Sequence, residues 1–335
     1  MLRLTLLLAL VLAAAIARAD GLTADRLGVI YNRNAPSSVR IAQYYAVHRH
    51  VPAENLIGLD VPDRAVINRG ELKRLREEML DKLPSRVQSL LLVWTRPFAV
   101  ECMSVTTAFA AGYQPGFCEP GCGETTTSEI YNTRGWLPDD TVGWLPAMLL
   151  PSQDEALAQA VIDRGIDADA SQPAGTVYLV RTQDSKRNVR AEEYADAEAL
   201  AKGRLAVREL VTPIIRAPHD AIVYFTGIAR VAELQKIDFL PGAAADHLTS
   251  LGGVLENSIQ MPATEWLHQG ATGSYGTVSE PCAQLSKFPH AAVFLSHYLR
   301  GETLLEAYWK SVKMPGQGLF IGEPLARPFA RRTDR

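Results

Sequence analysis

Five short segments of this chain are apolar along nearly their whole length, and that pattern constrains the fold more than any motif does: residues 26–31, 55–60, 89–95, 176–181 and 221–225. A strand with one wet face alternates apolar and polar residues, whereas a strand covered on both faces reads as a continuous run. Ser89-Leu-Leu-Leu-Val-Trp-Thr95 is the clearest case. Helical segments lie between the runs. Ser37 is placed to cap a helix that turns Val39, Ile41, Ala42, Tyr45 and Ala46 inward, and Gly70 to Lys82 reads as a helix with a charged face. Residues 153–164, 189–204, 291–300 and 303–312 read as further helices, and Gly318 to Ile321 as a closing strand. Right-handed parallel crossovers bury a β-α-β-α-β order most economically. The predicted fold class is therefore α/β, a largely parallel sheet with helices on both faces, in one domain over residues 20–330.

The first 19 residues have the three parts of a cleavable export signal: a positive start at Arg3, an apolar run from Leu4 to Ile16, and Ala17-Arg18-Ala19 before Asp20. The run is shorter than the roughly 20 residues of a membrane span, and no comparable one follows, so no transmembrane segment is expected after cleavage. The expected location is exported, periplasmic or extracellular. Cleavage would remove Arg3 and Arg18 from the 34 basic residues, leaving 32 against 37 acidic ones and a formal charge of −5. That balance argues against a nucleic-acid partner, and residues 331–335 read as a solvated tail.

Residues 98–145 interrupt the strand and helix rhythm with prolines, glycines and three of the four cysteines, and read as a long insertion held by staples. In an oxidising compartment an even number of cysteines favours disulfides. The Glu119-Pro120-Gly121 turn suggests Cys118–Cys122, which leaves Cys102–Cys282. A tetrahedral zinc site made by all four is the competing reading. No cofactor is expected.

Residues 241–288 hold the densest set of reactive and turn-forming groups: Gly242, Gly252, Gly253, Gly270, Gly273 and Gly276 stand among Asp246, His247, Thr249, Ser274, Tyr275, Glu280 and Cys282. Cys282, His247 and Asp246 would be nucleophile, base and orienting acid if the fold brought them together. The bland reading makes Cys282 half of a disulfide and His247 an ordinary helix-cap or loop residue. Gly273-Ser274-Tyr275-Gly276 lacks the first glycine of a serine nucleophile elbow, so its hydroxyl is better read as turn chemistry. The histidines are too scattered for a metal site. Arg181, Asp184 and Arg187 follow a buried strand and open a helix, a position suited to holding an anion. Thr249, Ser274, Tyr275 and Glu280, with this cluster, form the expected ligand-binding surface.

The segments PGAAADHLTSLGG, EWLHQGATGSYGTVSEPC, GETLLEAYWKSV and PGQGLFIGEPLARPF, with RLGVIYNRNAPSSVRIAQYYAVHRHVPAENLIGLD near the start, resemble a family of exported bacterial proteins of unknown function. The last third more distantly resembles the caspase-like fold of gingipain-type cysteine peptidases: residues 221–225 look like the strand that ends in His-Gly there, Gly270-Ala271-Thr272-Gly273 like the later Gly-Ala element, and Gly322-Glu323-Pro324 like the closing turn. Thr226-Gly227 replaces His-Gly, and no cysteine lies between Gly227 and Gly270. The resemblance implies a degenerate caspase-like domain that binds an unknown ligand or protein partner. The alternative it implies is a cysteine peptidase-type hydrolase with rearranged residues.

Overall fold

The computed structural model describes residues 21–119, 121–135, 143–212 and 219–331. The expected export signal, Pro120 of the cysteine-rich turn and residues 332–335 of the tail lie outside them. The chain opens with β1 (Leu27–Asn32), α1 (Pro36–Arg49), β2 (Leu56–Leu59), β3 (Val66–Ile67), α2 (Arg69–Lys82) and β4 (Ser89–Val93). The insertion contributes β5 (Ala99–Val100), β6 (Met103–Ser104) and α3 (Val105–Ala111), and β7 (Ala147–Leu150) and α4 (Glu155–Ala168) follow it. Then come β8 (Thr176–Arg181), α5 (Tyr194–Ala201), β9 (Ala206–Val211), β10 (Ala221–Gly227) and β11 (Phe239–Leu248). The chain closes with α6 (Thr264–Gln269), β12 (Gly273–Thr277), α7 (Ala291–Leu299), α8 (Leu304–Ser311) and β13 (Gly318–Gly322).

All five continuous apolar runs form strands, and β4 is buried at every position. Local chemistry sets the helix starts. Asn68 and Glu71 close a capping box on α2, Thr303 and Glu306 close another on α8, and the Asp154 carboxylate accepts from Leu157 N at 3.0 Å to start α4. Ser37 does not cap α1, because Pro36 occupies the first turn and Ala35 stands at the cap. Ser38 has the structural task instead: it accepts from Asn32 N at 2.8 Å and donates to Val93 O, tying the ends of β1 and β4.

Ten strands form one sheet in the order β2-β1-β4-β7-β13-β12-β11-β10-β8-β9, and β3, β5 and β6 form a small second sheet. The strands from β2 to β7 make one parallel ladder and those from β12 to β9 another. Between them β13 runs antiparallel to β12 and meets β7 through a single bridge, Ile321 opposite Leu149. Contacts at both ends show that the two ladders point the same way. Arg96, just beyond β4, reaches Glu256, beyond β11, at 3.4 Å. At the other end Ala168, where α4 has returned from the carboxyl end of β7, packs against Gly242 early in β11. The carboxyl ends therefore share one rim, which is where open α/β sheets place their crevices. Both faces are covered: Trp266 of α6 bonds His247, and Arg190, just before α5, bonds Asp246, the adjacent residue on β11.

Opposite that rim, Glu323, one residue beyond β13, is fully buried. Its carboxylate accepts from the Tyr45 hydroxyl at 2.6 Å and from Arg49 Nε and Nη2 at 3.0 and 2.6 Å, while Arg49 also pairs with Asp169. Gly165 of α4 leaves the space for this carboxylate, since a Cβ there would lie 2.4 Å from Glu323 Oε2. Removing one partner of a buried pair strands the other charge, at a cost of about 3–5 kcal/mol. Urea denaturation should show a loss of that size for Arg49→Met, with part of it recovered in Arg49→Met/Glu323→Met. A loss no larger than a surface substitution would contradict the role given to this knot.

Candidate functional site

The rim beyond β8, β10, β11 and β12 is built by close backbone approach. Thr182, one residue after β8, donates to Gly227 O at 2.6 Å, and a Cβ on Gly227 would lie 1.9 Å from Arg187 O. The loop after β11 rests on β12 in the same way, with a Cβ on Gly276 placed 2.3 Å from the carbonyl carbon of Gly252. Much of the glycine density in 241–288 thus serves backbone-on-backbone packing, which no side chain would permit.

The insertion is fastened to this rim covalently. The disulfides are Cys102–Cys118 and Cys122–Cys282, with Cα separations of 5.6 and 5.4 Å, which corrects the expected pairs Cys118–Cys122 and Cys102–Cys282 and replaces the zinc reading. Cys102 lies at the turn between β5 and β6, and the chain returns beside it after α3, where Phe117 O approaches Gly316 closely. From Cys122 the second bridge fastens the chain to Cys282 in the loop beyond β12, so Cys122 does not pair back with Cys118. Among the described residues no three of His, Cys, Asp and Glu are grouped to hold a metal ion.

Between the β8 loop and this staple lies a crevice of about 370 Å³, lined by Lys186, Arg187, Ser250, Pro281, the Cys122–Cys282 bridge and Ala283. Arg187 is fixed by Asp184 at 2.8 Å and by the Thr249 hydroxyl at 3.1 Å, and Thr249 in turn donates to Gln260 at 2.8 Å. Lys186 is exposed and has no ion pair among the described residues. Among the described residues no acidic side chain lines the crevice, and its charged groups are the two cations Lys186 and Arg187. The sequence points to Arg187 within a charged run that also holds Lys186, whereas Ser250 reads there as turn chemistry.

The groups expected to react are elsewhere engaged. Cys282 is oxidised, so it offers no thiolate in this state. Asp246 and His247 are neighbours on β11 and face opposite sides of the sheet, so the acid does not orient the imidazole. Asp246 pairs with buried Arg190 at 2.5 Å, and burial pushes its carboxyl up to about 6 against the pull of that guanidinium. His247 is a strand residue rather than a cap or loop residue. Its Nδ1 accepts from Trp266 Nε1 at 2.9 Å, which leaves Nε2–H to donate to Met261 O at 3.0 Å. With both nitrogens used and burial holding it down to about 3, the ring is a neutral core group.

The remaining expected residues divide between structure and rim. The Glu280 carboxylate accepts from the amides of Cys282, Ala283 and Gln284, shaping the turn that carries Cys282. Tyr275 donates to Lys287 O, Ser274 is buried without a hydrogen-bond partner among the described residues, and Arg181 turns away to Glu209 and the Tyr194 ring. Lys287 is buried with no hydrogen-bond partner for its ammonium among the described residues, and burial pulls it below the usual lysine range within electrostatic reach of Glu280 and Glu119. The site thus supplies positive charge, a hydroxyl and a disulfide wall. No protein-family model, curated protein or solved structure matches the chain.

The buried imidazole has a pH signature. In the unfolded chain His247 protonates near 6.5, so its contribution is fully present above that pH and is lost toward about 3, by about 1.4 kcal/mol per pH unit between. Asp246 and Glu193, which burial raises to about 6 and about 7, act in the opposite sense: they stabilise below the ordinary carboxylate range and lose that contribution as pH rises through those values. Comparison with His247→Gln isolates the imidazole. The stability advantage of wild type over the variant should shrink as pH falls from 6.5 to 4 and stay constant above 7. An advantage independent of pH would contradict the neutral ring.

Proposed function

We propose that this chain is an exported, degenerate caspase-like domain that binds an acidic ligand, favourably a short acidic peptide, without cleaving it. The observation that carries this reading is the crevice itself: Lys186 and Arg187 form one wall, the Cys122–Cys282 bridge forms the other, and among the described residues no acid lines it. A guanidinium already oriented by Asp184 and Thr249 loses little freedom when it meets a carboxylate. Export is supported by the pattern of residues 1–19 and by the disulfides, which persist in oxidising compartments. No described helix is long and apolar enough to cross a membrane. The caspase-like reading is supported by the resemblance of β10, of the Gly270–Gly273 lead into β12, and of the turn that closes β13.

Calorimetry at low ionic strength with acetyl-Glu-Glu-Glu-amide and its all-Gln counterpart tests the proposal. The acidic peptide should bind and remain intact, the Gln peptide should bind at least roughly tenfold more weakly, and Lys186→Glu should erase the difference. Reduction and alkylation of the cysteines should weaken binding by removing one wall. Equal binding of both peptides would overturn the acidic-ligand reading. Peptide hydrolysis lost in Cys282→Ser would instead establish the peptidase alternative.

A further inference from the structure

A second hollow of about 370 Å³, which shares no lining residue with that crevice, lies between α2 and the segment that leaves α3, lined by Arg69, Leu72, Lys73, Arg76, Glu77 and Tyr113 among others. Its walls combine the Tyr113 ring, the Leu72 side chain and the aliphatic stems of the basic residues. Its charges are unequally matched. Arg69 is bonded to Glu101 at 3.2 Å and stacks over the Tyr113 ring at 5.4 Å, and Lys73 stands 3.8 Å from Glu77 on an exposed helix turn. Arg76 is different. Its Nε and Nη2 donate to the Phe109 and Ala110 carbonyls at 3.1 and 3.4 Å, so the guanidinium is held in place by the end of α3, yet among the described residues it has no acidic partner.

Half-buried arginines are ordinarily balanced by a carboxylate, because desolvating a charge without one is costly. Here burial pulls Arg76 below the usual arginine range with no opposing charge to restore it. The Nη1 end of the guanidinium lies beside Gly112, where a Cβ would stand 3.8 Å from it, and the two hydrogen bonds to α3 leave Nη1 unused in a side chain that lines the hollow. We propose that this hollow binds a small organic acid with an apolar body, its carboxylate on Arg76 with Lys73 at the rim and its body against Tyr113 and Leu72. The volume lies within the range of small-molecule sites, and the lining has the expected form of an apolar surface with a few fixed polar groups. The site is separate from the crevice at Lys186 and does not depend on the function proposed for it.

The test is calorimetric titration of the intact oxidised protein with 4-phenylbutyrate and its neutral counterpart 4-phenylbutyramide. The acid should bind about tenfold more tightly than the amide, and Arg76→Met should abolish that preference while amide binding persists. Arg76 also holds the end of α3, so circular dichroism must show the variant folded. If it is not, Lys73→Ala and Tyr113→Ala decide: the first should weaken only the acid, the second both compounds. Equal affinity for acid and amide, absence of acid binding at millimolar concentration, or an acid preference unchanged in folded Arg76→Met or in Lys73→Ala would overturn the proposal.

Discussion

The placement of β13 is the constraint on which the rest of the sheet depends. Two parallel ladders can share one sheet only if their facing strands, β7 and β12, each find a neighbour, and β13 supplies it from the end of the chain. Its position is secured by Glu323, whose buried carboxylate gathers Tyr45 and Arg49 from α1 and sits in the space left by Gly165 of α4. The last strand is thereby locked to the first helix. Such a pair is weak as a source of stability against an apolar substitute, but breaking it halfway is costly, which makes it a determinant of register.

That lock at one end leaves the carboxyl ends of both ladders on a common rim at the other. The disulfides act there. Cys102–Cys118 closes the insertion on itself, and Cys122–Cys282 ties it to the turn that Glu280 organises. The same bridge that shapes the crevice removes the sulfur that a thiol hydrolase would need. Catalysis at Cys282 and the observed wall are therefore exclusive states of one residue, and the oxidised state leaves Lys186 and Arg187 to act on a ligand by charge and hydrogen bonding.

The parts of the fold legible in the sequence are those whose chemistry is local. β4 announces itself because four of its five residues are apolar, and α2 because Gly70 to Lys82 carries a charged face over an apolar one. β11 was hidden, since a strand carrying Asp246 and His247 between glycine-rich segments looks like a loop until Arg190 and Trp266, distant in sequence, are seen to satisfy them. β9 was hidden for the opposite reason: as an exposed edge strand with Arg208 and Glu209 it lacks an apolar signature. The cysteine pairing depended on where α3 sends the chain, which spacing does not encode. At the site, the basic run after β8 was visible as residue types, while its opposite wall required the disulfide that only the folded chain defines.

The account turns on the oxidation state of Cys282. Mass spectrometry of protein isolated after export, blocked with an alkylating reagent and digested without reduction, reads it directly. The account predicts peptides joined through Cys102–Cys118 and Cys122–Cys282 and no alkylated cysteine, whereas an alkylated Cys282 in the folded protein would contradict it and restore a free nucleophile to the rim.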